Sequence, residues 1–185
     1  MESVKRGYIP NDIAEFGPGA EGKLKAACTD LCFLLNRGYP VKAASTFVGN
    51  HHLLSERQRL ALARITSADS AIAARWRTRL TQTPPELVLD GFNTIITLEG
   101  ALSGSLLIEG MDGTIRDMAG LRGTYRIVDK TIRAVELHPA VDKQLYDLDN
   151  VVTSDAVILD HCKSWYNLNR SIIEQEIPDA WILRL

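Results

Sequence analysis

The sequence predicts an α/β protein in two unlike parts: a small N-terminal helical bundle, then a three-layer α/β/α domain on a mostly parallel sheet. Three observations predict it. The apolar period is helical from residue 22 to about residue 80, then gives way to short apolar runs alternating with helical stretches. Charge divides at the same place: residues 21–80 carry ten Lys/Arg against four Asp/Glu, whereas residues 81–185 carry nine against sixteen. Between them, Thr81-Gln82-Thr83-Pro84-Pro85 has the composition of a linker. The expected units are an irregular arm (1–20), a basic helical domain (21–80), a linker (81–85) and an acidic α/β domain (86–185).

The arm is rich in Gly and Pro (Gly7, Pro10, Gly17, Pro18, Gly19). Leu24, Ala27, Cys28, Leu31, Leu34 and Leu35 then recur at the spacing of one helical face, and Asn36, Gly38 and Pro40 end that helix. Val41, Ala44, Phe47 and Val48 mark a second helix. Ser55 with Gln58 three residues on is a capping box opening a third. A fourth spans Ala68–Leu80, with Ile72 and Trp76 as expected inward anchors. A core of this size is marginal by itself, so the bundle is expected to lean on the second domain. There, Leu87–Leu89, Leu106–Ile108, Val151–Thr153 and Trp181–Leu185 read as strands. Asn93–Leu102, Thr131–Leu137, Ala140–Leu148, Asp155–Trp165 and Leu168–Glu176 read as helices, and the glycine-rich 110–123 as a loop.

With 185 residues, 45% of them hydrophobic and 24% charged, the chain is globular rather than disordered. It holds no apolar run long enough for a membrane span, and its first twenty residues lack a signal-peptide core, so a cytoplasmic, membrane-free protein is expected. Three scattered cysteines (Cys28, Cys32, Cys162) argue against a disulfide framework. A zinc site drawn from Cys28, Cys32, His51 and His52 matches no common ligand spacing, so small buried thiols are the better reading.

Ligands of open α/β sheets bind beyond the carboxyl ends of the strands. Asp90 and Asp155 stand at two such ends, each before a helix. If their strands are neighbours, two carboxylates converge, and a cation offsets their repulsion. Mg²⁺ or Mn²⁺ suits hard oxygen donors and keeps several waters, which points to phosphodiester hydrolysis. Other chemistries fit less well. A haloacid-dehalogenase-like site needs a second Asp where Phe92 stands, and there is no dinucleotide fingerprint, P-loop or nucleophile elbow.

Asp90-Gly91-Phe92-Asn93 resembles the strand-end motif of NYN and PIN-like ribonuclease domains, and Thr153-Ser154-Asp155 resembles a later strand end of PIN domains. Over nearly its whole length the chain also resembles the DUF434 family. This likeness lies in Leu34-Leu35-Asn36-Arg37-Gly38-Tyr39-Pro40, Ala43–Ala44, Val48-Gly49-Asn50 and Gln58–Arg59. The family's companion C-terminal domain, DUF5616, is matched by Leu89–Asn93, Glu99, Asp112-Gly113 and Arg116–Asp117. The resemblance implies a PIN-like α/β/α domain, shortened by a strand and helix between Leu137 and His138. It further implies a divalent-metal-dependent nuclease acting on RNA: Asp90, Asp155, Asp112 and Asp117 would hold Mg²⁺ or Mn²⁺, and Asn93 would position the site.

Each candidate has a structural alternative. Asp90, Asn93 and Asp155 also suit helix caps. Asp112-Gly113 also suits the turn of a hairpin between Leu106–Glu109 and Thr114–Asp117, and Asp117 a surface ion pair. Glu99 reaches the site only if it faces the carboxyl edge. Asp160, His138 and His161 read as bystanders. Arg37, Arg57, Arg59, Arg64 and Arg116 are the candidate nucleic-acid contacts, with Arg75, Arg77 and Arg79 divided around the helix. Equally, the basic bundle could dock on the acidic domain by charge complementarity alone. Two further readings therefore stand beside the nuclease: a non-catalytic nucleic-acid-binding or regulatory protein, and an oligomeric or partner-binding protein whose acidic face meets another chain.

Overall fold

A computed structural model describes residues 5–120, 126–136 and 148–185. The N-terminal part is helical throughout: α1 (Asp12–Phe16), α2 (Pro18–Leu35), α3 (Val41–His51), α4 (Glu56–Ile65) and α5 (Asp69–Thr78). Leu24, Ala27, Cys28, Leu31 and Leu35 of α2 are all buried, as their spacing requires. The capping box forms at the start of α4: Ser55 Oγ accepts from Gln58 N at 3.1 Å and Gln58 Oε1 from Ser55 N at 3.1 Å.

Two expectations are corrected here. The arm is not irregular, because α1 forms and α2 starts at Pro18, whose fixed φ suits the first helical position. On α5 the inward residue is Arg75, 3% exposed, whereas Trp76 is 47% exposed. Apolar spacing misreads this helix because its partners are carboxylates.

The second part contains β1 (Val88–Leu89), α6 (Gly91–Leu102), β2 (Leu107–Glu109), β3 (Ile115–Asp117), α7 (Asp129–Glu136), β4 (Val151–Val152), α8 (Ala156–His161), α9 (Leu168–Glu176) and β5 (Ile182–Leu183). Strands β1 and β4 form a parallel pair, and β3-β2-β5 a second sheet in which β2 is antiparallel to β3 and parallel to β5. Residues 110–123 are thus not all loop: β3 forms, and Asp112-Gly113 turns a β2–β3 hairpin with Gly113 at φ +79°. Helix α8 ends at His161, short of the expected Trp165. The chain beyond it runs extended beside β4, with Val151 N donating to Ser164 O at 3.0 Å and Tyr166 N to Val151 O at 2.8 Å. The expected helix 140–148 and the expected shortening after Leu137 fall outside the described residues.

Alternation along β2 joins the two parts. Leu106 and Ile108 face a core made with Leu24, Leu31, Leu62 and Ile65 of the bundle, together with Met118 and Leu183. Leu107 faces the other way, toward Leu98, Ala101, Ile172 and Ile173. The larger sheet therefore has helices on both faces, and the basic bundle supplies one of those layers. None of the described helices is long and apolar enough to cross a membrane.

Candidate active site at the carboxyl ends of β1 and β4

Val88 lies opposite Val151 and Leu89 opposite Val152 in the parallel pair, so both strands deliver their next residues to one edge. Asp90 caps α6. Its Oδ2 accepts from Asn93 Nδ2 at 2.6 Å and Thr153 Oγ1 at 2.7 Å, and Asn93 N approaches Oδ1 at 3.5 Å. Asp155 caps α8, its Oδ1 accepting from Val157 N at 2.7 Å and Ile158 N at 3.4 Å. Thr153 links the two, because its hydroxyl donates to Asp90 while accepting from Asp155 N at 3.0 Å. The capping role of both aspartates is thus realised: Asp90 spends both oxygens on these bonds, whereas Asp155 uses Oδ1 alone.

In front of this edge lies a cleft of about 240 Å³ lined by Arg64, Ser67, Asn93, Arg116, Asp117 and Asp155, among others. Helix α4 forms one wall, and β3 and the β4–α8 turn the other. Asp117 and Asp155 each keep one carboxylate oxygen without a hydrogen-bond partner among the described residues. Asp90, Asp117 and Asp155 are not drawn into a cage, since no three of their donor atoms cluster within 4.8 Å. A larger cleft of about 410 Å³, between Trp76, Arg79, Tyr166 and Arg170, holds none of the nominated aspartates.

Asp112 is differently employed. It is 1% exposed and sits between two guanidinium groups: Arg75 Nη1 at 2.8 Å from Oδ2, and Arg116 across both oxygens. Thr114 adds N–H and hydroxyl donors to Oδ1 at 3.1 and 2.7 Å. Burial alone would raise this carboxyl, but Arg116 and the Thr114 donors outweigh it and hold it at about 2, below the ordinary 3.8. Both oxygens are filled by protein donors, so Asp112 acts here as the counter-ion of a buried network. Arg75 continues that network to Asp160 at 2.7 Å and Ser67 Oγ at 3.0 Å. Burial would lower the Arg75 pKa, but Asp160 and Asp112 raise it.

The nominated arginines are turned mostly inward. Arg57 grips Asp12 through two 2.8 Å bonds and donates to the carbonyls of Met118 and Gly7. Arg59 donates to Leu54 O and Asn50 Oδ1, both on its own bundle. Arg116 adds Ser154 O at 2.9 Å to its Asp112 contacts. Arg64 donates to Asp117 O, and Arg37 lies over the Phe33 ring with its guanidinium carbon 3.4 Å from the centroid. Arg64 and Arg75, ion-paired to Asp117 and to Asp112 and Asp160, are the arginines of the bundle that form ion pairs with the acidic part among the described residues.

Glu99 does not reach the cleft. It is fully buried on α6, 2.7 Å from Arg6 Nε, and accepts from Thr131 Oγ1. Sequence reasoning misses Arg6 and Ser67, and it names Thr153 only within the Thr153-Ser154-Asp155 motif, without a role of its own. An acid in the otherwise apolar Thr97–Leu102 stretch was the available signal for a buried partner of Glu99, but nothing local names Arg6.

Residues 23–77 match the family described as protein of unknown function DUF434, and residues 81–138 and 133–171 match the domain of unknown function DUF5616. An uncharacterised protein of Methanocaldococcus jannaschii is 31% identical over 138 residues, which is 73% of this chain and 66% of the relative. No solved structure matches. The helical part of the chain thus matches the DUF434 family model, and the part that carries the Asp90–Asp155 edge matches the DUF5616 model.

Proposed function

We propose that the cleft beside Asp90 and Asp155 is the site of a divalent-cation-dependent nuclease acting on RNA. The observation that supports it most is the parallel pairing of β1 and β4, which brings two strand-end aspartates to one edge, where open α/β sheets carry their ligands. The donor set fits Mg²⁺ or Mn²⁺. Asp155 and Asp117 offer hard oxygens on the cleft wall, and an ion held by two carboxylates would keep much of its water shell. When bound, such an ion supplies an activated water and neutralises charge developing on a phosphodiester. Asp90 acts from behind, fixing Asn93 and Thr153 by the bonds at 2.6 and 2.7 Å. Arg64, 31% exposed at the cleft wall, is the cation best placed to meet a phosphate, because Arg116 is committed to Asp112 and Ser154.

A second reading, RNA binding without turnover, is favoured by one observation: Asp90 and Asp155 each already spend an oxygen on capping a helix. Cleavage of a fluorescent single-stranded RNA with Mn²⁺ or Mg²⁺, with and without EDTA, separates the two. Cutting that is lost in Asp155→Asn, in Asp90→Asn and with EDTA supports the nuclease. Salt-dependent binding with no cutting by folded protein supports the second reading.

A further inference from the structure

We propose that Asp30, His51 and His52 form a binding site for a single zinc ion, on the face of the helical domain and separate from the strand-end cleft. Among the described residues they are the one group of three His, Cys, Asp or Glu donors whose atoms all lie within 4.8 Å of one another. The site is assembled by the packing of α3 on α2. Ala44 and Val48 of α3 share a buried core with Ala27 and Leu31 of α2, which brings Asp30 beside the carboxyl end of α3. There the helix stops abruptly. His52 N donates to Val48 O at 2.9 Å, Leu53 turns to φ +49°, and Leu54 N returns to Gly49 O at 2.8 Å. That termination holds consecutive histidines on one spot, their rings edge to face with centroids 4.9 Å apart.

The donor chemistry selects the ion. Two imidazoles and one carboxylate suit Zn²⁺, and three protein ligands leave a fourth tetrahedral position open. Mg²⁺ favours an all-oxygen shell and has little reason to enter. The geometry is within reach: tetrahedral donors 2.0–2.1 Å from zinc lie roughly 3.3 Å apart. The present spread runs from 2.7 Å, between His52 Nε2 and Asp30 Oδ2, to at most 4.8 Å. Zinc would replace the proton in that short contact. Asp30 is 53% exposed, so its side chain can adjust without disturbing the core. Asp30 and His51 also line an apolar groove of about 250 Å³ with Phe33, Leu34, Phe47 and Val48, so a ligand taking the fourth position would find apolar surface beside the ion. The cysteines take no part: Cys28 is buried, and the Cys32 thiol points to Ser67 O and Asp69.

The test is calorimetric titration of chelator-stripped full-length protein with Zn²⁺ in excess Mg²⁺, repeated with Co²⁺ to read the visible absorption of a tetrahedral centre. One equivalent should bind. His51→Ala and His52→Ala should each weaken binding at least about ten-fold, as should Asp30→Asn, which keeps the shape of the side chain. Asp90→Asn should leave binding unchanged, so the outcome does not depend on the nuclease reading. Absence of stoichiometric zinc binding overturns the proposal, as does binding that survives the double His51→Ala/His52→Ala change in protein with wild-type melting. Zinc binding abolished by Asp90→Asn also overturns it.

Discussion

Arg75 Nη1 donates to Asp112 Oδ2 at 2.8 Å, with both side chains almost wholly out of solvent, and this bond ties the last helix of the bundle to the β2–β3 hairpin. Arg116 closes the same carboxylate from the other side, while Arg75 reaches on to Asp160 on α8. One buried acid thus ties the end of α5 to β3 and, through Arg116, to Ser154 O at the β4–α8 turn, the wall of the cleft opposite α4. Desolvating three charges is expensive, so the arrangement persists only while every donor and acceptor has its partner.

Removing one member should therefore cost far more than a surface ion pair does. Asp112→Ala leaves the buried Arg116 without its counter-ion and Arg75 with Asp160 alone, and a loss of about 3–5 kcal/mol is expected. Chemical denaturation compared with Asp160→Ala checks this. Asp160 is 39% exposed and its loss should cost about 1 kcal/mol. Equal losses from the two variants would argue against the network as the fastening between the parts.

The same acid sets an expectation for pH. Its folded pKa of about 2 lies below the ordinary 3.8, so the folded state binds the proton less readily than the unfolded chain does. The resulting stabilisation is complete above about pH 4 and is lost as pH falls toward 2, amounting to roughly 2 kcal/mol. Melting temperature followed from pH 6 to pH 2 should fall more steeply for the wild type than for a folded Asp112→Asn variant.

Much of this was legible in the sequence wherever a period or a cap carried the information. The buried stripe of α2 follows from Leu24, Ala27, Cys28, Leu31 and Leu35, and the start of α4 from Ser55 and Gln58. The neighbouring of β1 and β4, on which the pairing of Asp90 with Asp155 depends, agrees with two short apolar runs that each end in a polar strand terminus. What stayed hidden are pairings of charge across long separations. Apolar spacing favours Trp76 over Arg75 because it cannot register a helix face that buries a cation against Asp112 and Asp160. Asp12 with Arg57, and Arg6 with Glu99, join residues 45 and 93 positions apart, beyond any local pattern. The extended run to Trp165 reads as helix in the sequence because its conformation is set by pairing with Val151, a tertiary cause.

Gly110 offers a test of the network from the backbone side. A Cβ placed there would lie 1.8 Å from Arg116 Nη1 and 2.8 Å from Asp112 Oδ1. A flexible arginine would ordinarily swing away, but this one is held by Asp112 and Ser154 O. Gly110→Ala should therefore destabilise by about 1–3 kcal/mol. In a Gly110→Ala/Arg116→Ala double mutant most of the Gly110 cost should vanish, because the clash and the displaced ion pair are then the same loss.

Asp155 separates capping from chemistry. Asn retains the oxygen that accepts from Val157 N at 2.7 Å and Ile158 N at 3.4 Å, so Asp155→Asn should change stability by only a few tenths of a kcal/mol. Asp155→Ala removes the cap as well and should cost about 1 kcal/mol. If the carboxylate serves a cation in the cleft, both variants should lose RNA cleavage by about 100-fold or more, although only one loses the cap. Parallel melts and cleavage rates for the two variants provide the reading. Activity that tracks the melting temperature, surviving in Asp155→Asn and falling in Asp155→Ala, would confine Asp155 to holding α8 in place.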